Sequence, residues 1–124
     1  MSITPHTYID SSDLSREIAE MSSAANAITA FAGGGQANAV SLTKSFNRIT
    51  TVASAADSVK LPAAVVGAQV TVFNKAATNS LNVFPSTGDL INALSANAAY
   101  GLAATKGAIF TCCVAGTWDT ILTA

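Results

Sequence analysis

Four short apolar runs follow one another in the second half of the chain: SVKLP (58–62), GAQVTVFN (67–74), SLNVFP (80–85) and AIFTCCV (108–114), the last joined through Ala115-Gly116 to Thr117-Trp118. Each run contains β-branched or aromatic residues and is closed by Gly, Pro or Asn, which is typical of strands separated by turns. Strand spacing of about ten residues predicts a mainly β fold, a small antiparallel β-sandwich or barrel.

The sequence on either side of these runs is less regular. Residues 39–52 are predicted to form one or two strands, in which Val40, Leu42 and Phe46 keep even parity, although a helix over residues 40–48 also fits their spacing. Residues 93–104 are alanine-rich and lack strand character, but Tyr100-Gly101-Leu102 fits an edge strand. Because these two regions are ambiguous, the sequence does not predict the order of the strands within a sheet.

Few charges are available to solvate the surface. The chain has 124 residues, the size of a single domain with a modest core, and charged residues make up 10% of it. An ordinary soluble domain has about 25%. We therefore expect part of the surface to be covered by other subunits. The basic residues are scattered rather than clustered among aromatics, so nucleic acid is not a predicted partner.

The first third of the chain has a different pattern. Its apolar positions follow a helical stripe: Leu14, Ile18, Met21, Ala25, Ile28 and Ala32. The stripe predicts a helix over residues 13–32 that ends at Gly33-Gly34-Gly35. Such a helix would either lie on the β-body or a neighbouring subunit, or bundle with copies of itself around a symmetry axis.

Two regions follow from these patterns. Residues 1–35 are predicted to be an N-terminal arm and helix for anchoring or oligomerisation, with residues 1–10 as a flexible arm. Residues 36–124 are predicted to be a β-rich domain. The candidate residues for an interface with other subunits are Leu14, Ile18, Met21 and Ile28.

Residues that could carry out chemistry are sparse. His6 is the only histidine and lies in the arm, where no scaffold for a catalytic triad is visible. A zinc site needs around four Cys or His ligands, and the chain offers three, of which Cys112 and Cys113 are adjacent. Asp57 and Asp89, like Asp119, adjoin turns, where Asp usually accepts hydrogen bonds from the local backbone. We expect no enzymatic activity, no cofactor and no metal, although carboxylates at a subunit interface could still hold calcium.

Each aromatic or sulfur-containing side chain could either belong to the hydrophobic core or have a function. Trp118 and Tyr100 could form a platform for stacking a sugar, but a lone Trp in a strand is more often a core anchor. The core is also predicted to include Phe73, Phe84 and Phe110. Cys112 and Cys113 point to opposite faces of a strand and cannot easily bond to each other, which fits synthesis in a reducing cytoplasm. No signal peptide or transmembrane helix is predicted.

A longer succession of residues resembles a module of structural proteins of tailed bacteriophages. The residues that carry the resemblance are Leu61-Pro62, Gly67, Val70 to Asn74, Leu81 to Pro85 with Gly88, Ile91-Asn92, Leu102, Phe110 and Gly116-Thr117-Trp118. In that class the module occurs in small capsid decoration (cement or head-fibre) proteins and as a domain of larger tail fibres and spikes. The resemblance covers about residues 36–124.

The resemblance implies a β-rich homotrimer on the outside of a virion. A short chain suits a clamp on the capsid lattice better than a fibre, which needs a long shaft. The expected function is therefore to bind the capsid exterior and stabilise the shell by bridging subunits of the major capsid protein, after synthesis in the host cytoplasm. The alternative is a receptor- or glycan-binding module of a tail fibre or spike. The expected partners are further copies of the chain and the major capsid protein, with no membrane and no nucleic acid.

Overall fold

The computed structural model describes residues 24–33 and 35–123, and within them the chain is mainly β, as predicted, with no α-helix. One short 3-10 helix, Gln36–Asn38, separates the first two strands. The strands are β1 (Ala24–Thr29), β2 (Val40–Ser41), β3 (Phe46–Thr51), β4 (Asp57–Lys60), β5 (Gln69–Asn74), β6 (Leu81–Phe84), β7 (Leu90–Ile91), β8 (Tyr100–Leu102), β9 (Gly107–Val114) and β10 (Thr117–Leu122).

The first six strands alternate between two sheets. β1, β3 and β5 lie parallel and side by side in a large sheet, while β2, β4 and β6 lie parallel in a small sheet. One strand of each sheet and its connections make a coil of roughly two dozen residues, and successive coils stack as in a solenoid. Each coil therefore adds one strand to both sheets.

The last four strands close this stack. β9 pairs antiparallel with β5, β10 pairs antiparallel with β9, and β7 adds parallel to β10 at the edge of the large sheet. β8 pairs antiparallel with β6 at the edge of the small sheet, which confirms the predicted edge strand at Tyr100-Gly101-Leu102. Two neighbouring sheets of six and four described strands result.

The predicted antiparallel arrangement is wrong for the three coils, whose strand pairs are parallel. The stack is solenoid-like rather than a clear sandwich or barrel. The reason is that strands buried on one face show the same alternation of apolar and polar residues whether their neighbours run parallel or antiparallel. Pairing direction depends on the path of the connections, which the alternation does not report.

The core combines side chains of both sheets in one apolar cluster. Its largest fully buried members are Trp118, Phe110, Ile49, Leu61, Leu81, Ile91 and Leu102. Trp118 is thus confirmed as a core anchor. Phe110 is confirmed as well, and the edge of the Tyr100 ring meets it at a centroid distance of 5.6 Å. Phe73 and Phe84 are half-buried but belong neither to this cluster nor to the side chains packed against it, so their assignment to the core is wrong.

Two fully buried asparagines bind backbone groups within this core. The Nδ2 of Asn47 on β3 donates to the carbonyl oxygens of Lys44 at 2.9 Å and Thr71 at 3.2 Å. The Nδ2 of Asn74 on β5 donates to those of Asn79 and Leu102, both at 3.0 Å. Buried carbonyl groups that strand pairing leaves unsatisfied thus gain partners.

The predicted N-terminal helix is wrong where the structure can test it. Residues 24–29, its last third, form β1, in which Ile28 is half-buried and in register with Ile49 of β3. Pairing with β3 supplies the backbone hydrogen bonds and overrides the helix propensity of the alanines. Residues 13–23 lie outside the described residues, and the predicted division at residue 35 stays a prediction.

The strands predicted within residues 39–52 are confirmed as β2 and β3. Their predicted shared parity is wrong, because Leu42 is buried while Phe46 is 47% exposed. Residues 43–45 form a connection between the strands, so alternation does not carry across it. On β3, Asn47 and Ile49 face the core instead.

Candidate functional site

The side of the large sheet turned away from the core is the main candidate for a binding surface. On β3 the buried residues Asn47 and Ile49 alternate with Phe46 and Arg48, which are exposed. Side chains of β5, β9 and β10 likewise point alternately to the two sides of the sheet, although Thr71 on the outer side of β5 is itself buried. We call this surface the outer face. Its residues on those four strands are Phe46, Arg48, Gln69, Thr71, Phe73, Ile109, Thr111, Asp119 and Ile121.

An apolar row crosses the middle of the outer face. Register pairs join Phe46 to Thr71, Thr71 to Ile109, and Ile109 to Ile121. On the edge strand β1, Ala24 continues the row beside Phe46. Phe46 is 47% exposed and Ile121 is 67% exposed, although both are large apolar side chains. A row of this kind is typical of surfaces that a partner covers.

Charge is almost absent from the outer face. Within β1, β3, β5, β9 and β10, the described strands that build most of this sheet, the charged residues are Arg48 and Asp119. Arg48 lies two residues beyond the row on β3, and its Nη1 donates to Asn26 Oδ1 at 2.7 Å. Asp119 lies two residues to the other side of the row, on β10, in register with Thr111. The two charges therefore occupy opposite corners of the face.

A groove of about 430 Å³ opens at one corner of the outer face. Its lining residues are Ser45, Phe46, Gly67, Ala68, Gln69 and Thr71. The exposed ring of Phe46 stands beside hydroxyl and amide side chains, which is a combination suited to an uncharged ligand with both apolar and polar faces. No side chain lining it carries a charge, so the groove offers shape, stacking and hydrogen bonds rather than ionic recognition.

The best-defined carboxylate belongs to the framework. Asp57 is 1% exposed, its Oδ1 accepts from the Gly33 N–H at 2.9 Å, and its Oδ2 accepts from the Ser54 N–H at 3.0 Å. The hydrogen bond from Gly33, followed by those from Ser54 and Ala53, holds the pKa of Asp57 below its usual 3.8, although burial acts in the opposite direction. The prediction that Asp57 satisfies backbone groups is confirmed.

The other groups considered for chemistry lie apart. Oδ2 of Asp89 accepts from the Ala64 N–H at 2.8 Å, so this carboxylate also serves the backbone. Cys112 is buried and Cys113 is exposed, both as free thiols, which confirms that they face different surroundings. Within residues 24–33 and 35–123, no three His, Cys, Asp or Glu side chains could hold a metal ion together. His6 lies outside the described residues.

Most of the predicted interface residues cannot be located. Leu14, Ile18 and Met21 lie outside the described residues, while Ile28 sits on β1, half-buried against the core. The exposed row was not predicted from the sequence. The sequence feature that could have indicated the row is the position of Ile109 next to Phe110 and of Ile121 next to Thr120. Alternation shows that the strands have two sides, but it does not show which side faces the core.

The alternative role of Trp118 in a sugar-stacking platform with Tyr100 is ruled out, because the Trp118 ring is fully buried, as its prediction as a core anchor requires. Tyr100 is half-buried and packs edge-on against Phe110. A ring that sugars could reach has to be exposed, and Phe46 meets this condition.

Comparison with known proteins adds no relative: no family model, no curated protein and no solved structure matches the chain. In the described part of the chain, no helix has the length and apolar character needed to cross a membrane.

Proposed function

We propose that the chain is a structural component of a bacteriophage virion that binds the capsid exterior as an oligomer and stabilises the shell by bridging major capsid subunits. The observation that carries the assembly role is the outer face, where Phe46, Ile109 and Ile121 form an apolar row on an almost uncharged surface. Soluble monomers seldom leave such a row open to water. The location on a virion rests on the sequence resemblance over residues 36–124.

The fold suits this role in two respects. A stack of coils with both sheets closed by β8, β9 and β10 is a rigid plate, because long-range strand pairs bind its parts together. The titratable groups of the described residues are dispersed, and Asp57 and Asp89 are occupied by backbone N–H groups. Both properties favour a component that presents surface over one that turns over a substrate.

The direct test is the position of the chain on phage particles. Particles labelled with an antibody against this chain should carry many labels spread over the head in electron micrographs. Label confined to the tail would contradict the capsid role. In parallel, light scattering of the purified chain at micromolar concentration should report an oligomer, and a stable monomer would remove the assembly argument.

The groove beside Phe46 supports a second candidate function, a glycan- or receptor-binding module of a tail fibre or spike. Its exposed ring can stack on a sugar, and the amide of Gln69 can hydrogen-bond hydroxyl groups. A glycan array probed with the intact chain tests this function. Binding that Phe46→Ala abolishes and Leu94→Ala leaves unchanged would favour the glycan role, since Leu94 is 40% exposed outside the groove.

A further inference from the structure

We infer that the outer face binds the outer face of a second copy of this chain, with the two copies related by a two-fold axis that places Arg48 of each opposite Asp119 of the other. The inference rests on the proposed assembly function and names the surface and the partner. Three properties of the face carry it: its apolar row, the positions of its two charges, and the small neutral side chains of Ala24 and Asn26 on β1.

The apolar row requires a partner that is itself apolar at this place. Phe46 and Ile121, at 47% and 67% exposure, stand three strand positions apart, with Thr71 and Ile109 between them. A second copy presents the same face, and packing the two faces together removes the exposed apolar area of both copies from water, which is the main driving force for association of such surfaces.

The two charges define the orientation. Arg48 and Asp119 are separated by three strand spacings across the sheet, about 14 Å, and by two rows along the strands, about 14 Å. They thus stand at the ends of one diagonal of a nearly square patch. A two-fold axis that lies in the plane of the interface along the other diagonal places the Arg48 corner of one copy over the Asp119 corner of the other. Each guanidinium therefore faces a carboxylate.

This rotation also fits the packing of sheets. An axis along the diagonal makes the strands of the two copies cross at nearly a right angle, which is one of the two usual geometries for sheets packed face to face. It carries Ile121 of one copy onto the Phe73 ring of the other, which lies over Gly107 and is apolar. On the β1 side, Ala24 and Asn26 are small and neutral, so they do not oppose the contact.

The inferred contact has a definite stoichiometry. Identical faces that pack on each other form an isologous contact, which joins copies in pairs. The solution state should therefore contain an even number of copies: a dimer, or a hexamer if a separate three-fold contact joins the pairs. A purified chain that forms only trimers would overturn this inference and leave the proposed capsid function standing. A purified chain that stays monomeric would overturn both the inference and the proposed function.

The experiment uses complementary charge reversals in the full chain. Arg48→Asp and Asp119→Arg are each expected to weaken self-association at least tenfold in sedimentation equilibrium, because each leaves like charges opposed at both corners. An equimolar mixture of the two variants should associate again, since a mixed pair restores an opposite charge at both corners. Lys60→Asp, on β4 of the small sheet, makes the same charge change as Arg48→Asp away from the outer face and should leave association unchanged. A mixture no tighter than either variant alone would overturn the inferred orientation.

A second pair of variants tests the apolar row. Phe46→Glu should abolish pairing, while Leu94→Glu should not, because Leu94 is similarly exposed at 40% but lies in the turn after β7. Circular dichroism and an unchanged unfolding midpoint would show that both variants fold. Equal association of the two variants would overturn the role of the row.

Discussion

The side-chain amide of Asn74 on β5 in the large sheet donates a hydrogen bond of 3.0 Å to the carbonyl oxygen of Leu102 on β8 in the small sheet. Both residues are fully buried. The same amide group also donates to the Asn79 carbonyl oxygen at 3.0 Å, and its Oδ1 accepts from the Ala76 N–H at 3.1 Å. One side chain thus connects the two sheets with the turn that follows β5.

Replacing Asn74 should therefore be costly. Asn74→Ala removes three hydrogen bonds and leaves buried backbone groups without partners, so we expect a loss of about 2 to 4 kcal/mol in the free energy of unfolding, measured by urea denaturation. Asn82→Ala is the control, because Asn82 is only half-buried on β6, and it should change the free energy by less than about 0.5 kcal/mol. Equal losses in the two variants would contradict the connecting role of Asn74.

Acid should weaken the fold through Asp57. Its pKa in the folded chain lies below 3.8, chiefly because the Gly33 N–H hydrogen-bonds the carboxylate, so the charged form stabilises the fold at pH values above about 3.8. This stabilisation is lost as the pH falls from there through the lower pKa of the folded state. The free energy of unfolding, measured as a function of pH, should therefore fall on the acid side.

The variant Asp57→Asn isolates this effect. It should be less stable than the parent chain at neutral pH, and the difference should shrink below pH 3.8, where the parent carboxylate becomes protonated. Asp119→Asn should keep the acid-side loss of the parent chain, because Asp57 is untouched. A constant difference between Asp57→Asn and the parent at every pH would contradict this account.

Gly107 is required by the ring of Phe73. A Cβ added at Gly107 would lie 2.7 Å from Cδ1 of Phe73, closer than such contacts occur. Gly107→Ala should therefore lower the free energy of unfolding by about 1 to 3 kcal/mol through overpacking. Gly101→Ala on β8 is the matched control, since nothing lies within 4 Å of an added Cβ there. Its unfolding midpoint should be unchanged or slightly raised, because alanine is less flexible than glycine in the unfolded chain.

The two adjacent thiols should differ sharply in reactivity. Cys113 is exposed, whereas Cys112 is 1% exposed and its Sγ lies 3.1 Å from the Val114 carbonyl oxygen. An aromatic disulfide reagent should titrate one thiol per chain rapidly under native conditions and two after denaturation. Cys113→Ser should remove the rapid reaction, and Cys112→Ser should preserve it. Rapid reaction of both thiols in the native chain would show that the β9 strand opens.

The sequence predicted strands well and their arrangement poorly. Runs such as 67–74 and 108–114 are long and alternating, so β5 and β9 were evident. The parallel coils were not, because alternation is the same for both pairing directions. Residues 24–29 were misassigned since alanine favours helices in isolation, whereas pairing with β3 decides their conformation in the fold.

The outer face could not be predicted from the sequence for a related reason. Phe46, Ile109 and Ile121 are apolar, and an apolar residue on an alternating strand is normally assigned to the core. Only the burial of Asn47 and Asn74 shows that these two polar residues of β3 and β5 face inward. Buried asparagines that bind backbone groups cannot be told from exposed ones before the fold is known.

Coil number sets the distance between the two charged corners. Strands in a sheet lie about 4.8 Å apart, so an additional coil inserted between β3 and β5 would move Arg48 one strand farther from Asp119 and stretch the square patch into a rectangle. The two-fold axis that exchanges the two corners would then turn away from the diagonal, and the strands of the two copies would no longer cross at a right angle. The number of coils would therefore set the angle at which paired sheets cross.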